Sequence, residues 1–332
     1  MKEALFYEKG EGNSVFCRLC PRLCRIKEGG RGFCRARENR GGVLYAANYG
    51  RVSSAAMDPI EKKPLYHFHP GTEILSLGTF GCNLACGFCQ NWQIAHADPP
   101  TRFLAPEAVV AAAMEQIARG VPCVGIAYTY NEPFIWYEYV YDTARLAREK
   151  GLKNVLVTNG YVREEPLREI LPYIDAMNID VKGFTAAYYR EVCRGSLEPV
   201  LRTVELAARA CHVELTTLLV PGLNDSPEEI RSLAEWVASL DPEIPLHFSR
   251  YFPHYKFDLP PTPLSTLLRA RELAGEKLKY VYVGNAPELD AGDTTCPSCG
   301  ATLIRRRGYR VQVAGLEGNA CRSCGEKIKV VV

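Results

Sequence analysis

Cys82, Cys86 and Cys89 stand at C-x3-C-x2-C spacing in LGTFGCNLACGFCQN. Three thiolates are one short of the four that an electron-carrying cubane iron–sulfur cluster takes from its protein. A tight trio with no fourth cysteine nearby therefore leaves one iron open for chemistry, and a chelating small molecule is the natural occupant of that corner. Gly81 and Gly87 suit a tight loop around a cluster, and strand-like residues precede it. The competing reading, a zinc knuckle or three unrelated buried thiols, has no use for those glycines.

The chain has fourteen cysteines in 332 residues, and eleven of them fall into three local groups with metal-like spacing. Disulfide frameworks belong to small secreted chains rather than to one of this length. Cys17, Cys20, Cys24 and Cys34 read C-x2-C-x3-C-x9-C. Four thiolates in 18 residues can close a tetrahedral site, and so short a segment holds too little apolar material to fold unaided. Zinc is the first reading of this staple and a second cubane cluster the alternative, because both accept four thiolates and spacing alone does not separate them. Near the end, Cys296-Pro-Ser-Cys299-Gly and Cys321-Arg-Ser-Cys324-Gly stand 21 residues apart around the strand-like LIRRRGYRVQV, which predicts a zinc ribbon. Duplication of the knuckle argues against a disulfide pair or a redox C-x2-C. Cys123, Cys193 and Cys211 are isolated and read as buried small hydrophobes.

These groups need a scaffold. The length allows one large α/β domain with small appendages. A net charge of +2 and 47% hydrophobic residues describe an ordinary globular protein without the overall basicity that points to nucleic acid. Basic residues do gather around the terminal cysteines: eight Lys or Arg against two Glu from Cys17 to Arg40, and seven against two from Thr294 to Val332. The start, MKEALFYEKGEG, lacks a secretory apolar core and no apolar run reaches membrane-spanning length, so no membrane partner and a reducing cytoplasm are expected. Strands are predicted at 73–80, 123–129, 154–159, 176–182, 213–220, 245–252 and 279–285. Amphipathic helices lie between them, among them SPEEIRSLAEWVASL with Ser226 as cap and Glu229 three residues on. Such βα repetition implies a parallel sheet, and polar residues at the strand ends favour an open six-unit barrel over a flat doubly wound sheet. Three regions follow: an N-terminal four-cysteine metal-binding segment (1–71), a partial (β/α)6 barrel (72–290) and the ribbon (291–332).

The trio, with Phe88 before its third cysteine, resembles the signature of radical S-adenosylmethionine (SAM) enzymes. GCNLACGFCQN, VTNGY, NIDVKG and LLVPGLND resemble the relatives of pyruvate formate-lyase activating enzyme. More closely, the Cys17 group, DPIEKKPLYHFHPG, YTYNEP, FSRYFPHYK and CPSCGATLIRRRGY resemble the AmmeMemoRadiSam system radical SAM enzymes over nearly the whole chain. The resemblance implies a radical SAM partial barrel in which Cys82, Cys86 and Cys89 hold a 4Fe-4S cluster and SAM binds the fourth iron. It also implies an electron donor such as flavodoxin or ferredoxin, and a 5′-deoxyadenosyl radical that abstracts hydrogen from a protein or small-molecule substrate. By the same resemblance Phe88 lies near adenine, Glu132 matches the Glu of a Gly-Gly-Glu motif, and Asp180 with Lys182 matches an Asp-x-Lys motif near SAM. Tyr130 and Asn131 replace that motif's two glycines, and Val157 stands where the activating enzymes carry an acid before Thr-Asn-Gly.

The residues themselves offer polar stations at successive strand ends. Glu132 can accept from the SAM ammonium, Thr158 and Asn159 can bond its carboxylate or ribose, and Lys182 can pair with that carboxylate or with Asp180. His254, beyond the sixth strand, is a candidate SAM or substrate contact. The plainer alternatives are a helix cap at Glu132, a turn at Thr158-Asn159-Gly160 and a rim salt bridge between Asp180 and Lys182. His67 and His69 alternate along one extended face and read as packed, hydrogen-bonded histidines. FIWYEYVY has helical spacing and reads as core, and Arg305 to Arg307 as a solvated ribbon edge. The expectation is an oxygen-sensitive radical SAM oxidoreductase. A glycyl-radical-enzyme activase is one alternative. A non-catalytic metal-bearing protein that binds nucleic acid or a partner is another, and near-neutral charge counts against its nucleic-acid form.

Overall fold

A computed structural model describes all of residues 1–332. Its centre is one eight-stranded sheet in sequential order: β1 (Ser54–Pro59), β2 (Glu73–Gly78), β3 (Cys123–Tyr128), β4 (Lys153–Thr158), β5 (Ala176–Asp180), β6 (His212–Leu219), β7 (Leu246–Arg250) and β8 (Val281–Gly284). Strands β2 to β8 are parallel, and β1 pairs antiparallel with β2 from Ser54 against Gly78 to Pro59 against Glu73. Each crossover carries one principal helix: α1 (Pro106–Ala118), α2 (Tyr137–Glu149), α3 (Glu164–Ile170), α4 (Glu198–Ala207), α5 (Pro227–Leu240) and α6 (Leu264–Gly275). Six βα units are therefore closed by a seventh parallel strand. The run from Pro133 begins as a 3₁₀ turn before α2, and its aromatic residues Trp136, Tyr137 and Tyr139 are buried core.

Parallel strands are covered on both faces, and here the two covers differ. The outward residues, such as Val213, Leu215 and Leu219, join the helices in the main core. The inward residues Ile74, Ala127, Val155 and Ala176 pack on Ile60, Leu65 and Phe68. The segment between β1 and β2 thus plugs the concave side of the sheet. Polar inward residues further along the sheet fix it: Asn178 Nδ2 donates to the Pro64 carbonyl at 2.8 Å, and the His67 amide donates to Glu214 Oε1 at 2.7 Å. His67 is buried and bonds Tyr282 Oη at 2.7 Å, so its packed reading holds; His69, at φ 44°, ends the extended run.

The plug carries a pH dependence. Burial lowers His67 to about 4, and although burial works against ionisation of Glu214, the His212 and His247 imidazoles at 3.0 and 2.7 Å hold it well below the usual carboxylate range. Both groups bind protons more weakly folded than unfolded. Their contribution is thus complete above about pH 6.5 and is lost as pH falls, for His67 between 6.5 and about 4, a span worth roughly 3 kcal/mol. Thermal unfolding midpoints should fall across that window in the wild type, and His67→Gln should flatten the upper part of the fall.

The termini form separate small layers. Residues 2–46 build two three-stranded antiparallel sheets, Lys2–Glu3 with Val43–Ala46 and Arg37–Arg40, and Tyr7–Lys9 with Val15–Cys17 and Arg25–Ile26. The C-terminal sheet of Thr294–Thr295, Thr302–Arg307 and Arg310–Val313 docks on β8 through Tyr280 and Tyr282. It reaches the plug as well, where the Val331 amide donates to the His67 carbonyl at 2.8 Å and Arg306 Nη2 to the Tyr66 carbonyl at 2.6 Å. No helix is long and apolar enough to cross a membrane.

Candidate active site

The loop after β2 carries Cys82, Cys86 and Cys89, of which Cys86 is buried and the other two half-buried. It is clamped from the next strand end. Asn131 accepts from the Thr79 amide at 3.0 Å and donates to the Gly81 carbonyl at 2.9 Å, and Asn91 Nδ2 donates to the Tyr130 carbonyl at 2.7 Å. Tyr130 holds φ at 71°, the left-handed backbone that glycine adopts most readily, and its hydroxyl donates to Asp58 at 2.6 Å. Tyr130 thus keeps a glycine-like backbone here, and the Tyr130 and Asn131 side chains add anchors. Sequence reasoning marked both positions only as departures.

Glu132 is 1% exposed and caps the 3₁₀ turn: Oε1 accepts from the Phe134 amide at 2.9 Å and from Thr158 Oγ1 at 2.7 Å, and Oε2 from the Asn159 amide at 2.8 Å. Burial nevertheless outweighs these donors and raises its carboxyl to about 7. Thr158 and Asn159 spend their side chains on the protein. Thr158 also accepts from the Gly160 amide, while Asn159 Nδ2 donates to Asn83 Oδ1 at 2.9 Å and reaches Cys82 Sγ at 3.6 Å. The Leu84 amide approaches the same sulfur at 3.4 Å. Burial and the Glu132 carboxylate push the Cys82 thiol well up, and the Leu84 N–H on its sulfur offsets part of that, so metal binding must draw off its proton.

Lys182 Nζ pairs with Asp180 at 2.9 Å and lies 6.0 Å from the centre of the Phe88 ring. His254 sits in a turn that packs on the loop: the Lys256 amide donates to the Gly87 carbonyl at 3.0 Å, and Phe257 contacts Phe88 edge-to-face at 6.0 Å between centroids. His254 Nε2 and Tyr188 Oη are buried without partners. Cys193, read from sequence as an isolated buried thiol, is fully buried and lies beside Cys86; this neighbour, with burial, pushes the Cys86 thiol well up. Its carbonyl accepts from the Ala85 amide at 2.9 Å. No spacing in the sequence links these two cysteines.

The sulfurs of the trio do not converge to single-ion spacing, and the C-terminal four do. Cys296 and Cys324 are 3.6 Å apart, Cys299 and Cys321 3.7 Å, and all four lie within 4.8 Å of one another. A tetrahedral zinc with bonds near 2.3 Å sets sulfur edges of about 3.8 Å, so that group matches a single zinc-sized ion. The trio's wider spread, its N–H donors and the unpartnered Tyr188 and His254 groups beside it fit a cluster with a polar ligand.

A model described as the radical SAM superfamily matches residues 76–237. An uncharacterized protein of Methanocaldococcus jannaschii is 50% identical over 341 residues, covering all of both chains. Pyruvate formate-lyase-activating enzyme of Clostridium pasteurianum is 25% identical over 171 residues, 48% of this chain and 67% of that one. Two other activating enzymes are matched over 36% and 40% of their lengths. Among solved structures, SuiB of Streptococcus suis bound to precursor peptide SuiA aligns with a TM-score of 0.53 at 15% identity, over 69% of this chain and 53% of that one, a likeness of fold.

Proposed function

We propose, from the match of residues 76–237 to the radical SAM superfamily, that the chain cleaves SAM reductively and removes hydrogen from a protein or small-molecule substrate. Cys82, Cys86 and Cys89 would hold a 4Fe-4S cluster, which would supply the electron for reductive cleavage of SAM. The observation that carries this reading is the trio itself, spread beyond single-ion spacing on one loop with the Leu84 and Asn159 N–H groups on Cys82 Sγ. Asn131 and Asn159 position the loop. Glu132, whose four acceptor sites receive three protein donors, retains one for a cationic ammonium. Lys182 and Asp180 offer charge of either sign at the mouth of β5, Phe88 offers an apolar face beside them, and His254 offers a ring nitrogen. A single zinc in the ribbon completes the metal content of this reading at the C-terminus.

The relatives named for enzyme activation favour a protein substrate as the second reading, namely a glycyl-radical-enzyme activase. By its motifs the chain resembles the AmmeMemoRadiSam group more closely. Both readings require SAM cleavage. Anaerobic reconstitution, dithionite reduction and chromatography should yield 5′-deoxyadenosine; none formed with an intact cluster would remove the catalytic proposal. Glu132→Ala should lower stability by at least about 2 kcal/mol, because it strands the Phe134 and Asn159 amides and the Thr158 hydroxyl in a buried site. It should also raise the Kd for SAM. Glu132→Gln, which keeps the acceptor oxygen but loses the charge, should fold better than Glu132→Ala and still bind SAM weakly, as thermal unfolding and equilibrium titration can show.

A further inference from the structure

We propose that Cys17, Cys20, Cys24 and Cys34 hold a second four-iron cluster, and not a zinc ion, directly behind the loop of Cys82, Cys86 and Cys89. All four cysteines line one small void, whose wall also includes Arg22, Arg37 and Ile135. Cys17, Cys20 and Cys34 are buried and Cys24 half-buried. Their sulfurs do not gather within 4.8 Å of one another, as those of the ribbon do. A zinc ion draws its four sulfurs to edges of about 3.8 Å, whereas a cubane binds each cysteine through a different iron and keeps the sulfurs apart. In this respect the N-terminal four resemble the trio and differ from the ribbon within the same chain.

Arg37 supplies an independent sign of an anionic occupant. Its guanidinium is 1% exposed and always charged. Nη1 donates to Glu138 Oε1 at 2.6 Å, while Nε and Nη2 have no partner. Two buried donors without acceptors are costly, and Arg37 lines the same void as the thiols. The sulfides and thiolates of a bound cluster are the acceptors they lack. The Arg37–Glu138 pair thus belongs to the site, with the Leu5 amide donating to the same carboxylate oxygen at 2.7 Å.

The two cysteine groups meet through backbone. A Cβ added at Gly81 would overlap the Cys34 carbonyl oxygen, Arg22 Nε donates to the Asn83 carbonyl at 2.8 Å, and Arg22 Nη2 bonds the Arg194 carbonyl. The second cluster therefore adjoins the loop that carries the first.

The test is metal and sulfide analysis of protein purified anaerobically without added metal, as wild type and as C82A/C86A/C89A. Wild type should carry about eight irons and the triple variant about four with matching sulfide, each beside about one zinc. An iron-free triple variant with about two zincs would overturn the proposal. Should that variant fail to fold, Mössbauer spectra of the wild type with and without SAM decide: about one iron in eight should change its signal on SAM binding, and about one in four, as a single cluster gives, would sink the idea. Eight irons without SAM cleavage would leave this cluster standing and remove the proposed activity instead.

Discussion

Cys86→Ala should abolish cluster assembly at the trio and reduce 5′-deoxyadenosine formation to background, a loss beyond the roughly 10–100-fold seen when only an outer partner of a metal site is removed. Cys86 is the most enclosed of the three and stands at the centre of the loop, with Lys182, Asp180 and Cys193 around it. Its thiol is pushed well up by the adjacent Cys193 and by burial, so only metal binding draws off its proton. The neighbouring substitution gives the contrast. Cys193→Ala removes a fully buried thiol at the end of a helical turn and should cost stability, about 1 kcal/mol, while leaving iron content and SAM cleavage in place. Ultraviolet–visible spectra, iron analysis and product chromatography on both variants measure the difference. If Cys193→Ala lost the cluster as completely as Cys86→Ala, Cys193 would be a ligand and no iron would be left for SAM.

Gly81→Ala should be nearly as damaging, through geometry rather than ligation. Gly81 holds φ at 93°, and any Cβ there meets the Cys34 carbonyl oxygen, which is backbone and cannot swing aside. Gly120, after α1, is the control: its φ is 83° with nothing within 4 Å of an added Cβ. Alanine at Gly120 should cost only the left-handed backbone penalty of about 1–2 kcal/mol. At Gly81 the overlap should add roughly another 1–3 kcal/mol. The loop should also shift against the N-terminal module, so iron per chain should fall. Denaturant unfolding and iron analysis on the two variants separate strain from overlap. Equal stability losses and unchanged iron in both would mean that the loop does not rest on Cys34.

Legibility differed from residue to residue for physical reasons. The seven parallel strands were readable to within one or two residues at most ends, since β-branched and apolar runs alternate with amphipathic helices. Strand β1 was not. SAAMDP has no β-branched residue and ends in proline, and it becomes a strand because β2 offers an edge. Ser226 caps α5 as read, accepting from the Glu229 amide, but Glu229 turns away to accept from the Phe184 amide at 2.5 Å, so only half of the capping box forms. The trio and the ribbon were legible because ligand spacing is local. Placements that depend on long-range folding were not: Cys193 beside Cys86, Asn131 on Gly81, the Asp58 anchor of Tyr130, and Arg37 on Glu138. Each joins segments far apart in the chain, and no spacing rule connects them.

The central claim is that one iron at the trio takes its remaining ligands from SAM rather than from the protein. Electron–nuclear double resonance on the reduced protein with SAM labelled at its amino nitrogen and carboxylate oxygens tests this most directly. Coupling of both labels to the cluster, absent in Cys86→Ala, is the predicted result. A cluster at Cys82, Cys86 and Cys89 with no coupling to either label and a fourth cysteine on its last iron would contradict it.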